Sequence, residues 1–194
     1  MAGWEPDAKR NGTSENYTKP EYLNLADGET VSVRILDEMP KSVFMSKILV
    51  NGKRYPVTVA REDNERVKKA GHKINKVNIV NVLDRRDGKV KIWEFSEERK
   101  GEIHDTMTRW KKKATEFDIA ITRRGLKLAT RYSVTIDPNM EPLSEKELAL
   151  EKVNLEEYYR LNVDRLNALL MGEIPKRKEE PTPVQANPLE TQNI

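Results

Sequence analysis

The 194-residue sequence contains no cysteine, which excludes disulfides and cysteine-ligated zinc. It has no apolar run approaching the ~18 residues needed to span a bilayer, and its first residues, Met1 to Thr18, lack an apolar signal-peptide core. A cytoplasmic location with no membrane partner is the resulting expectation. Histidine is scarce. His72 and His104 are far apart in sequence and sit in no metal-ligand spacing. Neither a nucleophile motif nor a Gly-rich phosphate loop is found. The residues therefore point away from an enzyme, and no catalytic residue, metal site or cofactor is expected. Asp84 and Asp87 flank Arg85-Arg86, but a turn explains them, and a metal-dependent nuclease would need further carboxylates beside them.

Charge is abundant and unevenly spread. Residues 1–70 carry 12 basic and 11 acidic side chains, residues 71–140 carry 16 and 10, and residues 141–194 carry 7 and 11. The positive centre coincides with the densest strand signals, as expected for a polyanion ligand.

Residues 1–19 read as a flexible arm rich in turn formers. Val31, Val33 and Ile35 alternate with Thr30, Ser32 and Arg34, which predicts a strand with one buried face and Arg34 pointing outward. Ser42–Val50 and Lys53–Val59 predict a hairpin across Asn51-Gly52, with Pro56 marking an edge or bulge. Arg61–Ala70 reads as a short polar helix ended by Gly71. Lys76–Leu83 and Lys89–Phe95 predict a second hairpin. A helix then runs from the N-cap Ser96 to about Ala114, with Ile103, Met107 and Trp110 as its buried stripe and Lys111 to Lys113 in its last turn. Phe117–Thr122 and Leu128–Ile136 are the last strands. Ser144 and Glu147 form a capping box opening a helical stretch to about 170, with Leu148, Leu155, Tyr159, Val163, Leu166 and Leu170 on one face and a break near Asn154. The expected fold is mainly β with helices. In detail it is an OB-type antiparallel β-barrel over 20–140, with a helix before the last strands, a helical extension over 141–172 and a disordered tail over 173–194.

Lys89-Val90-Lys91-Ile92-Trp93-Glu94-Phe95 is the most informative run. On a strand, Val90 and Ile92 face one way, while Lys89, Lys91, Trp93 and Phe95 face the other. Cations neutralise phosphates and rings stack on bases, so this alternation fits single-stranded nucleic acid. The competing reading packs Trp93 and Phe95 beneath the following helix. Tyr55 and Phe44, near Lys47, Lys53 and Arg54, form a second candidate group, and Tyr132 with Arg123, Arg124, Lys127 and Arg131 a third. Together, the expected DNA-binding residues are Arg34, Lys47, Arg54, Tyr55, Lys89, Lys91, Trp93, Arg123, Arg124, Arg131 and Tyr132. The lysine run 111–113 reads mainly as a complement to the helix dipole.

The stretch Gly88-Lys89-Val90-Lys91-Ile92-Trp93-Glu94-Phe95-Ser96 resembles the helix-destabilising single-stranded DNA-binding proteins of bacteriophages. So do Phe117-Asp118-Ile119-Ala120-Ile121-Thr122-Arg123-Arg124-Gly125 and Thr130-Arg131-Tyr132-Ser133-Val134. The opening Tyr22–Glu29 with Val33–Leu36 is similar to theirs as well. The resemblance implies an OB-fold protein that coats exposed DNA in replication, recombination or repair, largely without sequence preference. It also implies partners among replication or recombination proteins, self-association on DNA, and a host-cell cytoplasmic location. Many such relatives carry zinc ligands between the early and middle strands; Asn51–Asn75 has no cysteine, so no zinc is expected. From Gly172 on, three basic and four acidic residues replace the strongly acidic tail common among them. Two other functions fit the residues: an RNA-binding OB module, and a protein-interaction or assembly factor using the helical face of 144–170.

Overall fold

The computed structural model describes residues 20–126, 129–137 and 141–174. The arm 1–19, Lys127 and the tail from 175 onward lie outside the described residues. In chain order the strands are β1 (Thr30–Ile35), β2 (Lys41–Val50), β3 (Lys53–Val59), β4 (Ile74–Asp84), β5 (Lys89–Phe95), β6 (Asp118–Arg124) and β7 (Arg131–Ile136). The helices are α1 (Asn64–Lys69), α2 (Glu97–Trp110), α3 (Glu145–Leu148), α4 (Leu155–Tyr158) and α5 (Val163–Leu170). The protein is thus mainly β with helices, and α2 falls just before the last two strands. The sheet runs β3-β2-β4-β1-β6-β7, with β5 pairing β4 off this path. It is an open order rather than the ring an OB-type barrel implies. No helix among the described residues is long and apolar enough to cross a membrane.

The chain divides into two compact units. One runs up to Ser42 and again over Val77–Tyr158; the other covers Val43–Lys76 and the chain from Tyr159. In the first, period-two alternation on β1 buries Val31, Val33 and Ile35 against Val80 and Val82 of β4 and Ile119 and Ile121 of β6. Trp93 and Phe95 of β5, Ile103 of α2 and Phe117 complete this core. Helix α2 is shorter than its sequence suggests. Lys111 adopts a left-handed conformation (φ 51°), and the Lys112 amide donates to the Met107 carbonyl (3.2 Å), which closes the helix at Trp110. Trp110, expected in the buried stripe, is 45% exposed because it occupies the last residue before that reversal. The Ser96 hydroxyl makes no capping bond, although its carbonyl accepts from the Lys100 amide (3.1 Å).

In the second unit, Asn51 and Gly52 take positive φ (50° and 77°) and close the β2–β3 hairpin in the register that sequence predicts. Ile48, Val50, Val57 and Val59 form a separate core with Val67 of α1 and Leu166 and Leu169 of α5.

The single amphipathic face expected over 144–170 does not form. Ser144 and Glu147 do make the predicted capping box, but α3 is one turn long, and Asn162 caps α5 afresh by accepting from the Arg165 amide (2.8 Å). Leu148 (67% exposed) and Val163 (53%) are left outside, while Leu155 and Tyr159 are buried. Breaks at 149–154 and 159–162 interrupt the stretch, which is three short helices rather than one continuous helix.

Candidate nucleic-acid interface

The strongest sequence candidate is interior. Trp93 and Phe95 stack on each other in the first core, with centroids 4.4 Å apart and planes at 27°. They lie beneath α2, the helix that their own strand leads into, so neither ring offers a face to a base. Lys91, on the same face, is 8% exposed, and its ammonium donates to Asp84 Oδ2 (2.8 Å) and Asp87 Oδ2 (2.6 Å). Lys89 remains exposed and pairs with Glu21 (3.2 Å). The expectation that β5 presents a cation–ring platform is therefore corrected: its aromatic face is core.

The turn after β4 anchors two charge networks. In one, Asp84 is fully buried and accepts from Lys91 and Arg86, and Arg86 also pairs with Glu29. Burial pushes the Asp84 carboxyl up, but the hydrogen bonds from Arg86 and Lys91 prevail and hold it at about 2. Burial likewise opposes the Lys91 charge, and its two carboxylate partners reverse that and raise its pKa. The Glu29 carboxyl is lowered, chiefly by the Ala26 amide that donates to it (2.6 Å).

In the other network, Arg34 is 1% exposed rather than pointing to solvent. Its Nε pairs with Asp118, directly across the β1–β6 ladder, and its Nη2 donates to the Glu141 carbonyl (2.8 Å). Arg85 donates to both oxygens of Asp118 (2.9 and 3.1 Å) and pairs with Glu147. The segment from Glu141 to Glu147 caps the network, so a residue expected to meet phosphates meets a carboxylate instead. A buried guanidinium requires such a partner, because an unpaired one costs several kcal/mol.

The second unit separates the residues that sequence groups together. Tyr55 lies opposite Ile48 and is half-buried against the core, as is Phe44. Lys47 (opposite Pro56) and Arg54 (opposite Leu49) are exposed on the other face. The register places Lys47 and Arg54 on the same face of the hairpin and Tyr55 on the other, because adjacent strand positions alternate sides.

The β6–β7 hairpin keeps its expected residues at the surface. Arg123 faces Tyr132, and Arg124 faces Arg131. Tyr132 is 40% exposed, and Arg124 and Arg131 are exposed with no ion pair among the described residues. Arg123 is half-buried, with its Nη1 donating to the Leu25 carbonyl. The hairpin end is braced by the 24–29 loop: the Gly125 amide donates to Asp27 (2.6 Å), the Gly28 amide to the Arg123 carbonyl (2.9 Å) and the Arg123 amide to the Glu29 carbonyl (3.0 Å). Gly125 has φ +86°, and a Cβ there would clash with the Ala129 carbonyl oxygen, so only glycine fits.

Helix α2 packs against β7 and contributes what the sequence reading missed. Its end exposes Trp110 between Arg109 and Lys111, both also exposed. Cations on both sides of a ring at a helix end were the available signal, masked by the apparent i, i+4, i+7 stripe. Two exposed rings and four exposed cations thus belong to two elements in contact. Among the described residues, no group of three or more His, Asp or Glu side chains could hold a metal ion.

No protein-family model matches this chain, and no curated protein matches it.

Proposed function

We propose that this protein binds single-stranded DNA without a catalytic step, through the β6–β7 hairpin and the end of α2. The observation that carries the reading is the pairing of exposed rings, Trp110 and Tyr132, with the cations Arg109, Lys111, Arg124 and Arg131 on elements that pack together. Rings supply stacking of ~1–3 kcal/mol per base, and cations supply sequence-independent attraction to phosphates. The proposal keeps the ligand expected from sequence and moves it off β5. An OB-type ancestry remains part of it, supported by the placement of α2 before the last two strands. Coating of exposed strands during replication, recombination or repair is the role consistent with sequence-independent binding. Use of 144–170 as a docking helix has less support, since that stretch is three short helices whose apolar residues are partly core.

The test is fluorescence anisotropy of a labelled mixed-sequence oligonucleotide longer than the ~4–16 nucleotides one such module covers. The expected result is binding that weakens with salt at a log–log slope of about −0.7 per phosphate neutralised, with matched duplex competing poorly. Absence of binding at low salt, or affinity indifferent to salt, overturns the proposal. Equal or better competition by RNA reassigns the ligand to RNA.

A further inference from the structure

The first unit carries a cleft of roughly 110 Å³ beside α2, whose lining includes Phe95, Ile103, Met107, Met39 and Pro40. Its interior is apolar; its rim is charged. A closed cavity of about 150 Å³ accommodates benzene, so this smaller cleft takes in part of one ring and leaves the rest outside. The acidic side of the rim is already engaged. Asp37 accepts from the Asn81 amide (2.6 Å) and lies 3.5 Å from the Lys152 ammonium, and Glu38 pairs with Lys113 (3.3 Å). The lining also includes Lys100 and His104, one helical turn apart on α2, and neither makes an ion pair among the described residues. The lining charge left without such a pair is therefore the Lys100 ammonium, with the His104 imidazole beside it as a hydrogen-bonding group.

We infer that this cleft receives one unstacked base of the bound strand, with Lys100 and His104 meeting the adjoining phosphate. This rests on the function proposed above and adds a subsite to it. An apolar slot with an ammonium and an imidazole beside it matches a nucleotide, which is a flat ring with an anion attached. The cleft also borders the candidate interface: Met107 lies one turn before Trp110 and Lys111, and Ala114, which lines the cleft, comes directly after Lys113. A strand lying along the end of α2 reaches the cleft without leaving that helix.

The test uses the full chain and a single-stranded oligonucleotide carrying one photoreactive 4-thiothymine, with anisotropy measured first. Irradiation and then trypsin digestion are expected to yield a labelled peptide Gly101–Arg109, which holds His104 and Met107. The double variant Lys100→Ala/His104→Ala, in which trypsin releases residues 100–109 as the corresponding peptide, is expected to bind roughly five- to tenfold more weakly and to carry no label on that peptide. A second variant, Ala114→Leu, fills the cleft from its wall and is expected to lose the label while keeping the contacts of Trp110 and Tyr132. DNA binding with labels confined to the peptides bearing Trp110 or Tyr132, and both variants unchanged in affinity, overturns the subsite and leaves the proposed function standing. No DNA binding by the unmodified protein overturns both.

Discussion

Strand β5 and the β6–β7 hairpin carry the same message in sequence: basic and aromatic residues interleaved along a strand. Their fates differ. On β5, Lys91 is tied to Asp84 and Asp87, and Trp93 stacks on Phe95 inside the core. On the hairpin, Arg124 and Arg131 are exposed and Tyr132 keeps 40% of its surface. The difference lies in the neighbouring element of each strand. β5 runs straight into α2, which covers its aromatic face, whereas the end of the β6–β7 hairpin extends past the hydrophobic residues Ile119, Ile121 and Val134 that the core holds. Alternation reports that a strand has two unlike faces. It does not report which face another element will cover.

The largest test of this contrast is Trp93→Ala. Loss of a buried indole is expected to cost about 3–5 kcal/mol of stability, with DNA affinity per folded molecule unchanged. Denaturant titration alongside anisotropy reads both, and a folded, stable variant that binds poorly would return Trp93 to the interface. Next is acid. Asp84, held at about 2 against an ordinary value of 3.8, contributes stability that is fully present above pH ~4 and is lost as pH falls toward 2. The contribution is about 2 kcal/mol. Lys91→Ala should raise the Asp84 pKa and shift the acid midpoint upward, seen by circular dichroism across that range; an unmoved midpoint would detach Lys91 from the network. Tyr132→Ala is expected to weaken single-strand binding by about 1 kcal/mol, the low end of ring stacking, since only part of the ring is open. An isothermal titration that finds no change would narrow the interface to α2. Smallest in stability is Arg124→Ala/Arg131→Ala, expected to shift unfolding by no more than about 0.5 kcal/mol. Its signature is ionic instead: the salt slope should flatten by about 0.7 for each phosphate contact removed. An unchanged slope would place the cations elsewhere.

Much of the local structure was legible. Asn51-Gly52 set the β2–β3 register because both residues accept positive φ, and β1 and the Ser144–Glu147 capping box arose from short-range pattern. The candidate site was legible only in part. Arg34 looked outward by parity, and it does occupy the face opposite the apolar core, but Glu141 and the Arg85–Asp118 pair cover that face. Tyr55 looked like a neighbour of Arg54, yet adjacent strand positions face opposite ways, and its side went to the second core. Trp110 matched a buried helical stripe that ends where Lys111 turns left-handed.

By itself the sequence determined the strands and the turns between them, the absence of cysteine chemistry and the concentration of positive charge in residues 71–140, because propensity, turn stereochemistry and composition act over a few residues. Tertiary structure alone decided that the strands form an open order, that the chain divides into two units, and which cations are engaged by buried carboxylates. Those outcomes depend on which surfaces meet after the chain folds back on itself. A lysine or tryptophan has the same local signature whether it is later covered or left in water.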